Sequence, residues 1–209
     1  MLRLLLLRHG ETDWNASGRY QGQQDVPLNA AGRRQAADLA NRLADLSLHA
    51  IYASELARAW ETALAVGEVQ GVVVRPEPRL RELSFGAWEG LTYRQIGQQD
   101  PEGLARWNAD RVNRAPPDGE SLGAMAARLR DLIDEIRATY DEGTVALVSH
   151  GGTIRIILCL LLGHPLGAYW QFEVDNTAIA EIEFRELGPV LVRWNDAHHL
   201  IDGHRQGVF

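Results

Sequence analysis

Leu4-Leu5-Leu6-Leu7-Arg8-His9-Gly10-Glu11-Thr12 is a short apolar run that stops abruptly at a charged, glycine-terminated triplet. It reads as a buried strand delivering an arginine and a histidine to the edge of a sheet. In open α/β sheets ligands bind outside the carboxyl ends of the strands. An imidazole held beside a permanent cation suits work on an anion, phosphate first among them. A second apolar strand, over 144–148, leaves in the same way through Ser149-His150-Gly151-Gly152. Alone, either histidine reads as a structural residue. At matched strand ends the two converge, and the glycines let backbone N–H groups approach an anion closely.

The remaining elements follow from periodicity. Residues 2–7 form the first strand and 15–27 a polar loop. Asn29 is placed to cap a helix running through 46, with Ala36, Leu39, Ala40 and Leu43 on one face. A strand over 50–53, a helix over about 56–69 and a strand over 72–74 come next. A long amphipathic helix over 121–140 turns Met125, Leu129, Leu132, Ile133 and Ile136 inward. A helix over about 153–162 and an edge hairpin of 179–184 with 190–194 close the chain. The alternation predicts an α/β fold, a three-layer α/β/α sandwich with a mostly parallel central sheet. Between about 76 and 119 the chain holds five of its eight prolines together with Trp88 and Trp107. That stretch reads as a small cap inserted over the carboxyl edge of the sheet, within a single domain spanning 1–209.

Composition narrows the chemistry. All 21 basic residues are arginine, so a phosphate loop built on lysine, a Schiff base and a lysine general base are excluded. A net charge of -7 argues against a nucleic-acid partner, so any basic site must be local. The lone cysteine, Cys159, lies in an apolar run and reads as a small buried hydrophobe. The apolar runs at 1–7 and 156–162 are too short for a signal peptide or a bilayer span, so no membrane partner and a cytoplasmic location are expected. No HExxH or CxxC pattern calls for a metal, and no cofactor is implied.

Two further stretches carry candidate chemistry. Ala53-Ser54-Glu55-Leu56-Ala57-Arg58-Ala59 leaves a strand and enters a helix, putting Arg58 near the helix start. Helix N-termini and guanidinium forks both favour a phosphate dianion. Local sequence alone makes Arg58 a solvated helix residue. Glu82 and Glu89, in Arg81-Glu82-Leu83-Ser84-Phe85-Gly86-Ala87-Trp88-Glu89-Gly90, would by default be exposed loop carboxylates.

Taken in order, these residues resemble the histidine phosphatase superfamily, which includes the cofactor-dependent phosphoglycerate mutases. The likeness rests on Arg8-His9-Gly10-Glu11-Thr12 with Trp14-Asn15, on Gly18-Arg19-Tyr20-Gln21-Gly22 and on Pro27-Leu28-Asn29. It continues through Ser54 to Ala59 with Thr62-Ala63, Glu82 with Gly86 to Gly90, Pro117-Asp118-Gly119-Glu120-Ser121, and Ser149-His150-Gly151. The resemblance implies that His9 is a nucleophile forming a phosphohistidine, neutral and with its tautomer set by a partner on the other nitrogen. Arg8, Arg58 and His150 would hold the non-bridging oxygens, with Asn15 and the N–H of Gly151 adding hydrogen bonds. Gln21 and Gly22 would face the substrate, with Arg19 and Tyr20 beside them. Glu82 would protonate the leaving oxygen and then deprotonate water, shielded near Trp88 or Phe85. Arginine and imidazole would stand in for a metal.

The resemblance covers both mutases and phosphatases. In the mutases Arg-His-Tyr-Gly follows the position of Glu82, whereas here Leu83-Ser84-Phe85-Gly86 follows it, and the mutases tend to have a longer cap. Both departures favour hydrolysis. The expected activity is a metal-independent phosphomonoester phosphatase acting on a small phosphorylated metabolite, with a phosphoglycerate mutase as the alternative. Phe85 to Gly90 looks like the broad-specificity and ribazole-phosphate branches. Tyr169-Trp170-Gln171-Phe172 and Asp175-Asn176-Thr177 are similar to the phosphoserine phosphatase branch, which often carries histidine where Phe85 stands. Phe85 therefore implies a substrate with an aromatic or aliphatic body. His199 would either fold over the pocket to contact substrate or lie in a loose polar terminus, and His204 is expected to do the latter. His49 and His164 read as structural. An edge strand near 179–184 would offer a surface for a homodimer.

Overall fold

The computed structural model describes residues 1–200. The chain runs β1 (Leu2–Arg8), α1 (Asp13–Ala16), α2 (Ala30–Arg42), β2 (Ala50–Ala53), α3 (Ala57–Gln70), β3 (Val74–Pro76), α4 (Tyr93–Gln99), α5 (Pro101–Ala109), α6 (Leu122–Thr139), β4 (Gly143–Ser149), α7 (Gly151–Leu162), β5 (Ile179–Arg185) and β6 (Gly188–Asp196). The sheet order is β3-β2-β4-β1-β5-β6, parallel across the first four strands and antiparallel across the last two.

Strand β1 is apolar without alternation because both of its faces are covered. Successive side chains point to opposite sides of a strand. Leu4 and Leu6 join Val145, Leu147, Leu129, Ile133 and Ile157 on the α6–α7 side. Leu5 and Leu7 join Ala146, Val148, Leu39, Ala63 and Val66 on the α2–α3 side. These two cores separate three layers, as the α/β/α expectation requires. Pairing of β1 with β4 runs from Leu2 opposite Gly143 to Arg8 opposite Ser149. His9 and His150 therefore leave the sheet side by side, and His9 N–H extends the ladder to the Ser149 carbonyl at 2.9 Å.

Several boundaries differ from the sequence reading, each for a local reason. Thr12 and Asn15 form a capping box that makes α1 inside the expected loop. Helix α2 is capped by Asn29 but ends at Arg42, where Leu43 N–H is shared among the last carbonyls. Gly71 closes α3 at φ 64°, and Val72 N–H turns back to the Gly67 carbonyl. The chain thus reaches the sheet only at Val74, so β3 lies two residues later than expected. His150 itself caps α7, which starts at Gly151 rather than Thr153. The stretch 179–184 is not an edge: β5 lies between β1 and β6, and β6 is the outer strand.

The segment between β3 and α6 covers the carboxyl edge. Its Trp88, Ile96, Leu104 and Trp107 pack into the same core as Leu122 and Met125 of α6. The Trp88 and Trp107 rings meet edge to face at 5.6 Å. Among the described residues no helix is long and apolar enough to cross a membrane.

Candidate active site

Three neighbouring parallel strands end at one place. Strand β1 delivers Arg8 and His9, β4 delivers His150, and β2 delivers Ser54, whose N–H reaches the Val148 carbonyl at 3.1 Å. Arg58 follows in the first turn of α3. Arg8, His9 and Arg58 line a cavity of about 120 Å³ whose wall also includes Asn15, Gln21 and Glu82. Gly22, Phe85 and Gly151 also line it.

His9 is buried, and its Nδ1 lies 2.6 Å from the Gly10 carbonyl. A carbonyl only accepts, so Nδ1 carries the proton and Nε2 keeps its lone pair. Burial, then Arg58 and Arg8, hold the His9 pKa well below 6.5. The ring is therefore neutral at neutral pH. The His150 ring stands edge-on to it with centroids 5.1 Å apart. His150 is fully buried and its pKa is likewise pushed well down, by burial and then by Arg58. Ser54 Oγ accepts Leu56 N–H at 3.3 Å, and His150 Nε2, at 2.9 Å, is the one acceptor for its own proton among the described residues. That leaves Nδ1–H as the group His150 has to offer, and it has no partner among the described residues.

Both arginines remain cations despite burial. Arg8 is lowered to about 10 by burial and by Arg155, while Glu82 and Asp175 oppose the shift. Arg58 is lowered to about 10 by burial, opposed by Glu82 and Asp25. Arg58, which is 1% exposed, donates to the carbonyls of Gly22 (2.7 Å) and Gln24 (2.8 Å). Arg8 donates to the Val174 carbonyl. The Nε of each is buried without a partner among the described residues. An unmet buried donor costs about 1–3 kcal/mol, more when charged. Two such donors, on residues that line a small cavity, suit the site to an anion. Gly151 adds the N-terminus of α7, a twelve-residue helix.

The profile described as "Histidine phosphatase superfamily (branch 1)" matches residues 4–197. The chain belongs to this superfamily. It is 35% identical to phosphoserine phosphatase 1 of Hydrogenobacter thermophilus over 200 residues, covering 96% of this chain and 95% of the relative. It is 42% identical to glucosyl-3-phosphoglycerate phosphatase of Mycobacterium tuberculosis over 176 residues, covering 80% of this chain and 78% of the relative. The crystal structure of the alpha-ribazole phosphatase from Shigella flexneri superposes with a TM-score of 0.87 at 33% identity, covering 93% of this chain and 96% of that one.

In this histidine phosphatase Glu82 stands on the cavity wall, where Oε2 accepts Gly152 N–H at 2.9 Å and Oε1 accepts Leu83 N–H at 2.8 Å. Phe85 shields it. Trp88 does not, because its Nε1 is turned to Asp100 in the cap core at 3.2 Å. Asn15 spends its Oδ1 on Thr12 N–H at 3.1 Å, so its amide nitrogen is the atom available to a ligand. Gln21 is buried with Oε1 unpartnered among the described residues. His150 is not among the residues that line the cavity; its ring meets His9 edge-on, with Nδ1 unpartnered among the described residues.

His199 is not at the cavity. Its Nε2 lies 3.1 Å from Thr177 Oγ1, and its charged neighbours include Asp38 and Arg42 on the α2 side. Asn195, at φ 49°, clamps Asp175 through both side-chain ends and turns the chain away from the pocket. His199 is linked to the site through Thr177, whose N–H donates to the His9 carbonyl at 3.3 Å. His204 lies outside the described residues.

Three residues that the sequence reading quoted without a role at the site, and one that it did not quote, support it. Thr62 Oγ1 accepts Gly10 N–H (3.1 Å) and donates to the Arg58 carbonyl (2.7 Å). Asn176 donates to the His9 carbonyl at 2.9 Å. Glu89 accepts Gln23 N–H (2.9 Å) and Phe85 N–H (3.0 Å), tying the substrate loop to the cap. A Cβ on Gly22 would fall 2.0 Å from Glu89 Oε1, so that glycine was the available signal. Arg155, on the cavity wall, is the fourth.

The two buried imidazoles make a direct prediction. At about pH 6, where a free histidine is largely protonated, nitrogen-15 spectra should show both His9 and His150 neutral with the proton on Nδ1. An imidazolium signature from either ring would overturn the charge assignment. The linkage has the matching sign: unfolded imidazoles take up protons that the buried rings refuse. Stability therefore falls as pH drops below about 6.5 toward the folded pKa.

Proposed function

We propose that the protein is a metal-independent phosphomonoesterase that passes a phosphoryl group through His9 to water. The observation that carries this is the Nδ1–H to Gly10 bond, which leaves Nε2 bare between two buried guanidinium groups. In the first step Nε2 attacks phosphorus, the ester P–O bond breaks, and protonated Glu82 gives its proton to the leaving alkoxide. In the second, Glu82 as carboxylate takes a proton from water, the water oxygen bonds to phosphorus and the P–N bond breaks. Inorganic phosphate leaves and both residues return to their starting states. Arg8 and Arg58 hold the non-bridging oxygens, joined by Asn15 and the N–H of Gly151, while His150 contributes Nδ1–H. Fixed donors aimed at the transferring group supply most of the acceleration in such reactions.

Three relatives named as phosphatases favour hydrolysis over transfer back to a hydroxyl. The cavity wall agrees, since Phe85 lines it where a polar wall would favour retention of a phosphoglycerate. The substrate is a small phosphorylated metabolite.

4-Nitrophenyl phosphate should be hydrolysed steadily in excess chelator. Loss of activity with chelator, restored by a divalent ion, would refute the metal-free mechanism. Given 3-phosphoglycerate and a bisphosphoglycerate primer, the protein should release free phosphate. Conversion to 2-phosphoglycerate with little free phosphate would make it a mutase instead.

A further inference from the structure

A second cavity of about 420 Å³ adjoins the first. The two share Glu82, Phe85, Gly152 and Arg155. With the general acid on the shared wall, the leaving oxygen sits at the junction and the alcohol body lies in the second cavity. Its wall is aromatic and apolar, with Tyr20, Leu83, Trp107, Met125 and Tyr169 joining Phe85. Phe85 is edge-on to Tyr20 at 4.6 Å and to Trp107 at 6.1 Å. Such a wall gains most from an apolar, preferably aromatic, body.

Arg155 does not fit an apolar wall. It lies one helical turn beyond Gly151 on α7, so the two share a face and Arg155 reaches the junction. The other arginines around the cavities are committed: Arg8 to Val174, Arg19 to Gly90, and Arg58 to Gly22 and Gln24. Arg111 stacks over Trp107 at 4.4 Å and bonds to Asn108. Arg155 has no carboxylate within 4.0 Å among the described residues, and its Nε is buried without a partner. It also lies near enough to repel Arg8. A phosphate dianion answers Arg8 and Arg58. It leaves a third cation at the ester junction with nothing to bind.

We infer that Arg155 receives a carboxylate on the carbon bearing the phosphorylated oxygen, making the substrate a phosphorylated 2-hydroxy acid with an apolar or aromatic body. One guanidinium fork matches one carboxylate in a paired geometry, whereas a second phosphate would call for more donors. The inference rests on the phosphatase reading and adds the class of its leaving group.

Four esters test it: 2-phosphooxy-3-phenylpropanoate, its analogue with methyl replacing carboxylate, 2-phosphooxypropanoate, and propan-2-yl phosphate. The carboxylate should raise kcat/KM at least about tenfold within each pair, and the ring about tenfold again. Arg155→Gln should shrink the carboxylate advantage to about twofold or less, and Arg155→Lys should keep part of it. Equal rates within the wild-type pairs would overturn the inference. So would an equal loss on all four esters in Arg155→Gln, which would place Arg155 on the phosphoryl group. If 4-nitrophenyl phosphate turns over while carboxylate confers no advantage, this inference alone fails. If neither it nor any of the four esters turns over, the phosphatase reading fails.

Discussion

His9→Ala should reduce phosphate release by roughly 10⁴-fold or more, the scale on which loss of a nucleophile is felt. The ring lies at the end of β1 with its lone pair on Nε2 set by Gly10, and among the described residues no other side chain lining the cavity is an imidazole. The fold should survive, because the neutral ring belongs to no ion pair that the substitution would break and it stands at a strand end beside an existing cavity. Thermal unfolding should therefore stay cooperative. Brief exposure to labelled aryl phosphate, followed by alkaline denaturation, should leave label on the wild type and none on the variant. A rate that persists in His9→Ala would assign the nucleophile elsewhere.

Glu82→Gln should lower kcat/KM for an alkyl phosphate by about 10²–10⁴-fold, the usual worth of a positioned acid. An aryl phosphate needs no proton on its leaving group, so the first step should survive. The second step still needs a base for water. 4-Nitrophenyl phosphate should therefore give a burst of one 4-nitrophenol per site, then slow turnover. The geometry makes glutamine an imperfect replacement. Both carboxylate oxygens accept backbone N–H groups, from Gly152 and Leu83, so an amide must set its NH₂ against one of them. That strain lowers stability but does not depend on the ester. Equal losses on alkyl and aryl esters, with no burst, would remove Glu82 from proton transfer.

Much of the scaffold was legible because it is written in neighbours along the chain. The leucine run, the amphipathic helix with Met125 and Leu129, and the strand before His150 each announce themselves within a few residues. One capping signal was legible too, at Asn29. Errors gathered where one backbone contact shifts a boundary, as when the Gly71 cap delayed β3. The strand 179–184 read as an edge because hydrophobic pattern reports burial and not which neighbour provides it.

From the sequence alone came the α/β layering, the convergence of His9 with His150 at adjacent strand ends, and the resemblance that assembled Arg58 and Glu82 with them. These depend on periodicity and on motif order, both of which are properties of the chain as written. The tertiary structure alone decided that Nε2 is the free nitrogen of His9, that Phe85 and not Trp88 lines the wall with Glu82, and that His199 bonds to Thr177 instead of lining the cavity. It also set Arg155 at the seam between two cavities. Each of these turns on a few ångströms between residues far apart in the chain. A proton's position, a ring's direction and a cation left without a partner are settled only when distant segments are packed together.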